Sequence, residues 1–190
     1  IPLIHISTDY VFDGTNCRPY IETDAANPQS VYGRTKLAGE QAVLENASAA
    51  VIIRTAWLYS EFGNNFVKTM RRLGAEKAQL NVVFDQVGTP TYAADLAAAV
   101  VHILPRLRPG MKEIFHFSNE GVCSWYDFAV EIMKLSGLDC RINPIESKDY
   151  PTPARRPFYS VLNKTKIKQT FNIEINHWKE SLQSCLKHLS

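Results

Sequence analysis

Residues Ser30 to Arg54 read SVYGRTKLAGEQAVLENASAAVIIR, and this stretch decides the fold. Ser30 stands just before a run carrying apolar Val31, Leu37, Ala38, Ala42 and Leu44. It reads as the cap of a helix that extends to about Asn46. Val51-Ile52-Ile53-Arg54 then reads as a buried strand. Upstream, Ile1-Pro2-Leu3-Ile4-His5-Ile6 reads as a strand from the first position, with Leu3 to Ser7 as its body and Thr8-Asp9 as its end. An apolar strand buried on both faces belongs in the middle of a parallel sheet. Strand, helix and strand in this order make a right-handed parallel crossover, so the fold class is α/β.

The pattern continues downstream with helices at Asn64 to Leu73 and Ala93 to Leu104, the second stopped by Pro105. Strands are expected at Leu80 to Phe84, Glu113 to Ser118 and Arg141 to Ile145. Ser124 reads as the cap of a helix to about Leu135, with Phe128, Ile132 and Leu135 on one stripe. Ser147 to Pro157 is a proline-rich loop, Asn163 starts a short helix, and His177 to Leu189 is a terminal one. The chain turns loop-rich after Leu135, which implies a smaller lobe attached to the sheet.

The bulk numbers exclude several function classes. A 45% hydrophobic and 21% charged composition is that of an ordinary globular domain. A net charge of +2 gives no reason to expect nucleic acid as a partner. No apolar run approaches the ~20 residues that span a bilayer, so no membrane role is expected. Cys17, Cys123, Cys140 and Cys185 are scattered, without Cys-x-x-Cys or His at ligand spacing. They read as reduced, mostly packed thiols of a cytoplasmic protein.

Chemistry concentrates around the first crossover. Tyr32 and Lys36 lie four residues apart, which places phenol and ammonium on one helix face, one turn apart. A cation beside a phenol stabilises the phenolate and lets the tyrosine exchange a proton with an alcohol or ketone oxygen near neutral pH. Ser7-Thr8-Asp9-Tyr10 closes the first strand, and ligands of open α/β sheets bind outside the carboxyl ends of strands. Hydroxyl, phenol and ammonium therefore converge on one crevice.

The strings Ser7-Thr8-Asp9-Tyr10-Val11-Phe12-Asp13-Gly14 and Val31-Tyr32-Gly33-Arg34-Thr35-Lys36-Leu37-Ala38-Gly39-Glu40 resemble the extended short-chain dehydrogenase/reductase superfamily. Arg54-Thr55-Ala56-Trp57-Leu58-Tyr59, Gly63-Asn64-Asn65-Phe66, Asp85-Gln86-Val87-Gly88-Thr89-Pro90-Thr91 and Arg156-Pro157 narrow the resemblance to the dTDP-4-dehydrorhamnose reductase family, over essentially the whole chain. The resemblance implies reduction of a dTDP-sugar, a nucleotide-linked 4-keto-6-deoxy sugar, with NADPH or NADH, on the route to cell-surface rhamnose. It makes Tyr32 the general acid, Lys36 its phenolate stabiliser and a partner of the nicotinamide ribose, and Thr8 a partner of the substrate carbonyl or of Tyr32. Ser7 joins Tyr32 and Lys36 at the cofactor. Asp9 and Trp57 fall to the sugar pocket, and Asn64, Asn65, Arg155 and Arg156 to the diphosphate. Some members hold a divalent ion such as Mg²⁺ in their dimers, although no carboxylate cluster in this sequence calls for one.

The resemblance also sets the expected organisation. Residues 1–60, with the helix at 93–104 and the strand at 113–118, form the later part of a Rossmann-type cofactor domain. Residues 61–92 and 119–190 form the substrate lobe. No Gly-x-Gly-x-x-Gly or Gly-x-x-Gly-x-x-Gly occurs, so the dinucleotide phosphate loop of such domains is missing. The chain reads as the later part of a longer protein, inactive by itself and prone to self-associate as a homo-oligomer through exposed sheet edge. Two alternatives stand beside the reductase: a non-catalytic regulatory subunit of the same fold, and a sugar-nucleotide epimerase or dehydratase. The dehydratases place two carboxylates after the strand-end Thr, and here Tyr10 occupies the second position.

Overall fold

The computed structural model describes residues 1–151 and 156–189. It contains β1 (Pro2–Thr8), α1 (Val31–Asn46), β2 (Ala49–Thr55), β3 (Leu58–Tyr59), α2 (Phe66–Glu76), β4 (Gln79–Val83), β5 (Val87–Gly88), β6 (Thr91–Tyr92), α3 (Ala93–Ile103), β7 (Lys112–His116), β8 (Cys123–Ser124), α4 (Trp125–Ser136), β9 (Arg141–Ile145), α5 (Thr165–Phe171) and α6 (Trp178–Lys187). Three parallel strands in the order β1-β2-β7 form the main sheet, which is the expected α/β class. β4 pairs with β9 and β3 with β6, both parallel, while β5 and β8 are antiparallel.

The helix boundaries follow from local chemistry. Ser30 Oγ accepts the Gly33 N–H at 3.0 Å and starts α1 where expected. Asn65 caps α2 by accepting the Lys68 N–H at 3.2 Å, so that helix begins at Phe66 rather than Asn64. Ser124 and Asp127 form a reciprocal capping box on α4, and Gly137 at φ +64° ends it in the left-handed region. Pro105 ends the α geometry of α3, yet the chain continues through a 3₁₀ turn, Leu104–Arg106, which a proline near its start tolerates. Asn163 Oδ1 accepts the Thr165 N–H at 2.9 Å, and α5 begins only at Thr165.

β1 lies at an edge of the sheet. Among the described residues only β2 pairs with it, Leu3 is 42% exposed, and full burial arrives only at Ser7 and Thr8. Every residue of β2, flanked on both sides, is buried instead. Ile167 and Phe171 of α5 are buried with Val51, Ile53, Phe115, Leu96 and Ile103, so α5 covers the main sheet together with α3. A second core gathers Tyr59, Val67, Met70, Phe128, Ile132, Ile142, Trp178 and Leu182. It joins α2, α4 and α6 to β4 and β9.

Candidate active site

The face of α1 that carries Tyr32 and Lys36 continues one turn further to Glu40. Residues at i, i+4 and i+8 share a helix face, and here Lys36 and Glu40 meet the ends of strands. Glu40 is 1% exposed and accepts Arg54 of β2 in a fork, Nε at 2.9 Å and Nη2 at 2.7 Å. The Ser7 hydroxyl of β1 donates to the same carboxylate. Lys36 Nζ donates to the Ile6 carbonyl at 2.6 Å. Tyr32, at the start of the helix, is 55% exposed. Its hydroxyl has no hydrogen-bond partner among the described residues, and its ring meets Tyr10 edge-on at 5.8 Å. The buried Gly33 lets this first turn close down, because a Cβ there would strike the Tyr10 carbonyl oxygen.

Tyr32 and Lys36 face a crevice of about 530 Å³ outside the carboxyl ends of β1 and β2, where the fold predicts a ligand. Thr8, Asp9, Tyr10, Trp57 and Arg156 complete its wall. Thr8 Oγ1 donates to Asp9 Oδ1 at 2.9 Å and accepts the Tyr10 N–H at 3.2 Å. Asp9 is 2% exposed. Burial pushes its carboxyl up to about 7, against the opposing pull of the Thr8 and Ser160 hydroxyls and nearby backbone N–H groups.

Trp57 holds a left-handed backbone, φ +48°, an uncommon state for a large side chain. Its indole lies parallel to Trp125 at 3.6 Å and against Gly88, where a Cβ would sit 2.8 Å from the ring. The strained backbone and the stack together fix this wall of the crevice. Behind it lies a largely apolar pocket of about 200 Å³, lined by Phe66, Met70, Val82, Trp125, Tyr150 and Arg156. Arg156 borders both spaces.

The expected site residues separate accordingly. Thr8, Asp9, Tyr32, Lys36, Trp57 and Arg156 come together. Ser7 also borders the crevice, but its hydroxyl is engaged by Glu40. The Asn65 side chain is occupied at the α2 cap and on the Ser60 carbonyl at 2.7 Å. Asn64 is exposed, and neither asparagine lines the crevice. Arg155 lies outside the described residues. Glu40 and Arg54 were not singled out from the sequence; the i+8 spacing of Glu40 from Tyr32 was the available signal. Among the described residues no group of three or more His, Cys, Asp or Glu gathers as a metal site, and no helix is long and apolar enough to cross a membrane.

The family model described as "RmlD substrate binding domain" matches residues 1–190. The chain belongs to the RmlD substrate binding domain family. A dTDP-4-dehydrorhamnose reductase of Sinorhizobium fredii is 44% identical over 189 residues, covering 95% of this chain and 64% of the relative. The solved dTDP-4-dehydrorhamnose reductase of Clostridium acetobutylicum is 46% identical with a TM-score of 0.92, covering 98% of this chain and 65% of that one. The enzyme of Bacillus anthracis, solved in complex with NADP, is 37% identical with a TM-score of 0.92, covering 97% and 64%. This RmlD-family chain thus spans just under two thirds of the length of these relatives.

Proposed function

We propose that this chain carries the proton-donating and sugar-binding half of a dTDP-4-dehydrorhamnose reductase, which forms dTDP-L-rhamnose with NADPH or NADH. One observation carries the reading: Tyr32 opens an unpaired hydroxyl into a crevice where Lys36 is held to the end of β1 through the Ile6 carbonyl. Phenol, ammonium and strand-end hydroxyl are the groups a carbonyl reduction needs, and the printed names of the relatives agree with that chemistry.

The residues divide the work as follows. Tyr32 donates its proton to the C4 oxygen of the sugar. The Lys36 ammonium stabilises the phenolate left behind; one N–H is on Ile6, and its others remain for a ribose hydroxyl. The nicotinamide supplies the hydride when bound. The donor set of Tyr32 and Lys36 fits its ribose end, while the 190 residues contain no glycine-rich loop for its phosphates. Trp57 offers an apolar wall and one N–H to the sugar. Arg156, between crevice and apolar pocket, suits a diphosphate through its forked donors, with the base in the pocket beside Trp125.

In this reading the main sheet with α1 and α3 belongs to the cofactor domain, and the second core forms the substrate lobe. The protein works in the cytoplasm as a homo-oligomer. The test is turnover by the full-length protein, followed as NADPH consumption on adding dTDP-4-dehydrorhamnose. Steady consumption yielding dTDP-L-rhamnose supports the reading, and cofactor binding without consumption overturns it in favour of a regulatory subunit.

A further inference from the structure

The Thr8 hydroxyl has one hydrogen, and in this structure Asp9 takes it. Thr8 Oγ1 donates to Asp9 Oδ1 at 2.9 Å. A second position on the Thr8 oxygen is filled by the Tyr10 N–H at 3.2 Å. An ionised carboxylate only accepts hydrogen bonds. While Asp9 is ionised, the Thr8 hydrogen stays on it, and Thr8 presents only a lone pair to the crevice. A ketone oxygen is also only an acceptor, so the two oxygens would oppose each other. If Asp9 is protonated, its O–H donates to Thr8 Oγ1, and the Thr8 hydrogen turns outward.

We propose that Asp9 is a positioning residue that sets the polarity of Thr8: protonated Asp9 makes Thr8 a donor to the substrate's carbonyl oxygen, and ionised Asp9 makes it an acceptor. The inference rests on the ketone-reductase reading of the crevice. The surroundings favour the protonated form. Asp9 is 2% exposed, its Oδ2 is buried with no partner at hydrogen-bond distance among the described residues, and burial outweighs the opposing pull of the Thr8 and Ser160 hydroxyls and the Asp9 and Tyr10 N–H groups. An unpaired buried oxygen is far costlier on a carboxylate than on a neutral acid. The titratable and charged groups around the same crevice are Tyr10 on the adjoining turn, Tyr32 and Lys36 on α1, and Arg156 on the returning loop. Among the described residues none of them forms an ion pair with Asp9. Burial accordingly raises its carboxyl to about 7, so the switch lies within the working range of a cytoplasmic enzyme. Asp9 therefore acts on the carbonyl through Thr8.

The experiment is the pH profile of kcat/KM from pH 5.5 to 9 for the full-length reductase, its Asp9→Asn variant and its Thr8→Val variant. It is paired with ¹³C NMR titration of the Asp9 carboxyl. The asparagine amide donates to Thr8 at every pH, as a protonated acid does. Wild type is expected to lose kcat/KM above neutral pH, while Asp9→Asn removes that limb and exceeds wild type by about tenfold at pH 9. Thr8→Val should lower kcat/KM throughout and abolish the limb. A limb that persists unchanged in Asp9→Asn overturns the proposal, as does a carboxyl that stays ionised down to pH 5. If wild type turns over no keto sugar, the reductase reading fails, and the titration still decides whether Asp9 holds a proton.

Discussion

Arg54 and Glu40 form a forked ion pair, with Nη2 to Oε2 at 2.7 Å and side chains 4% and 1% exposed. It ties the third turn of α1 to the central strand of the sheet. Tyr32 and Lys36 occupy the same helix face, so the depth and rotation of the turn that carries them are set by a contact two turns away. Removing one partner leaves the other charge buried and alone. Glu40→Ala is expected to lose about 3–5 kcal/mol of stability in urea unfolding. The double replacement of Glu40 and Arg54 by leucine should recover most of that loss while turnover stays low, because shape returns but the registration of α1 does not. Full recovery of turnover in the double variant would show that the pair does not position the site.

Tyr32→Phe removes the proposed proton donor while leaving the ring and its contact with Tyr10. Turnover of the full-length protein should fall by about 10²-fold or more, with little change in stability, since Tyr32 is half exposed and its hydroxyl holds no protein partner. Lys36→Ala removes both the proposed partner of the phenolate and the proposed ribose contact. It should weaken cofactor binding as well as turnover, and unchanged cofactor affinity in a fluorescence titration would remove the ribose role.

The parts of this site that the sequence revealed are those governed by local periodicity. Ser30 announced α1, the spacing of Tyr32 and Lys36 announced their shared face, and the run from Val51 to Arg54 announced β2. The comparisons bear out the family and the α/β class read from these stretches. What stayed hidden depends on contacts between distant segments. Nothing local to Arg54 marks it as the partner of Glu40. Trp57 and Trp125 lie 68 positions apart in the sequence, yet their rings stack. The packing of α5 on the main sheet was likewise invisible in a stretch whose own composition is loop-like.

Gly88→Ala probes the stacked wall. A Cβ at this position would sit 2.6 Å from Ser160 Oγ and 2.8 Å from the Trp57 ring. The hydroxyl can rotate away, but the indole is held between Gly88 and Trp125 on a strained backbone. The ring must therefore move toward the crevice. The expected result is a raised KM for the sugar nucleotide, with cofactor affinity unchanged. An unaltered KM would mean that the Trp57 face does not touch the sugar.

His116 supplies a pH dependence of stability that is separate from catalysis. It is fully buried, with Nδ1 3.1 Å from the Tyr20 carbonyl and Nε2 without a partner among the described residues. The Nδ1–H is therefore the donor, and the ring is neutral. Burial, followed by the nearby Arg54 charge, lowers its pKa to about 3. An unfolded histidine titrates near ~6.5. Between those values the unfolded chain binds the extra proton, so the stabilising effect of the neutral ring is complete above about pH 6.5 and fades as pH falls toward 3. The slope approaches about 1.4 kcal/mol per pH unit. Asp9, with a raised pKa, contributes an opposite slope between its unfolded and folded values, so the test must be differential. Urea unfolding of wild type and His116→Gln from pH 8 to pH 4 should give curves that converge as the pH drops. Parallel curves would mean that His116 binds its proton equally well in the folded and the unfolded chain.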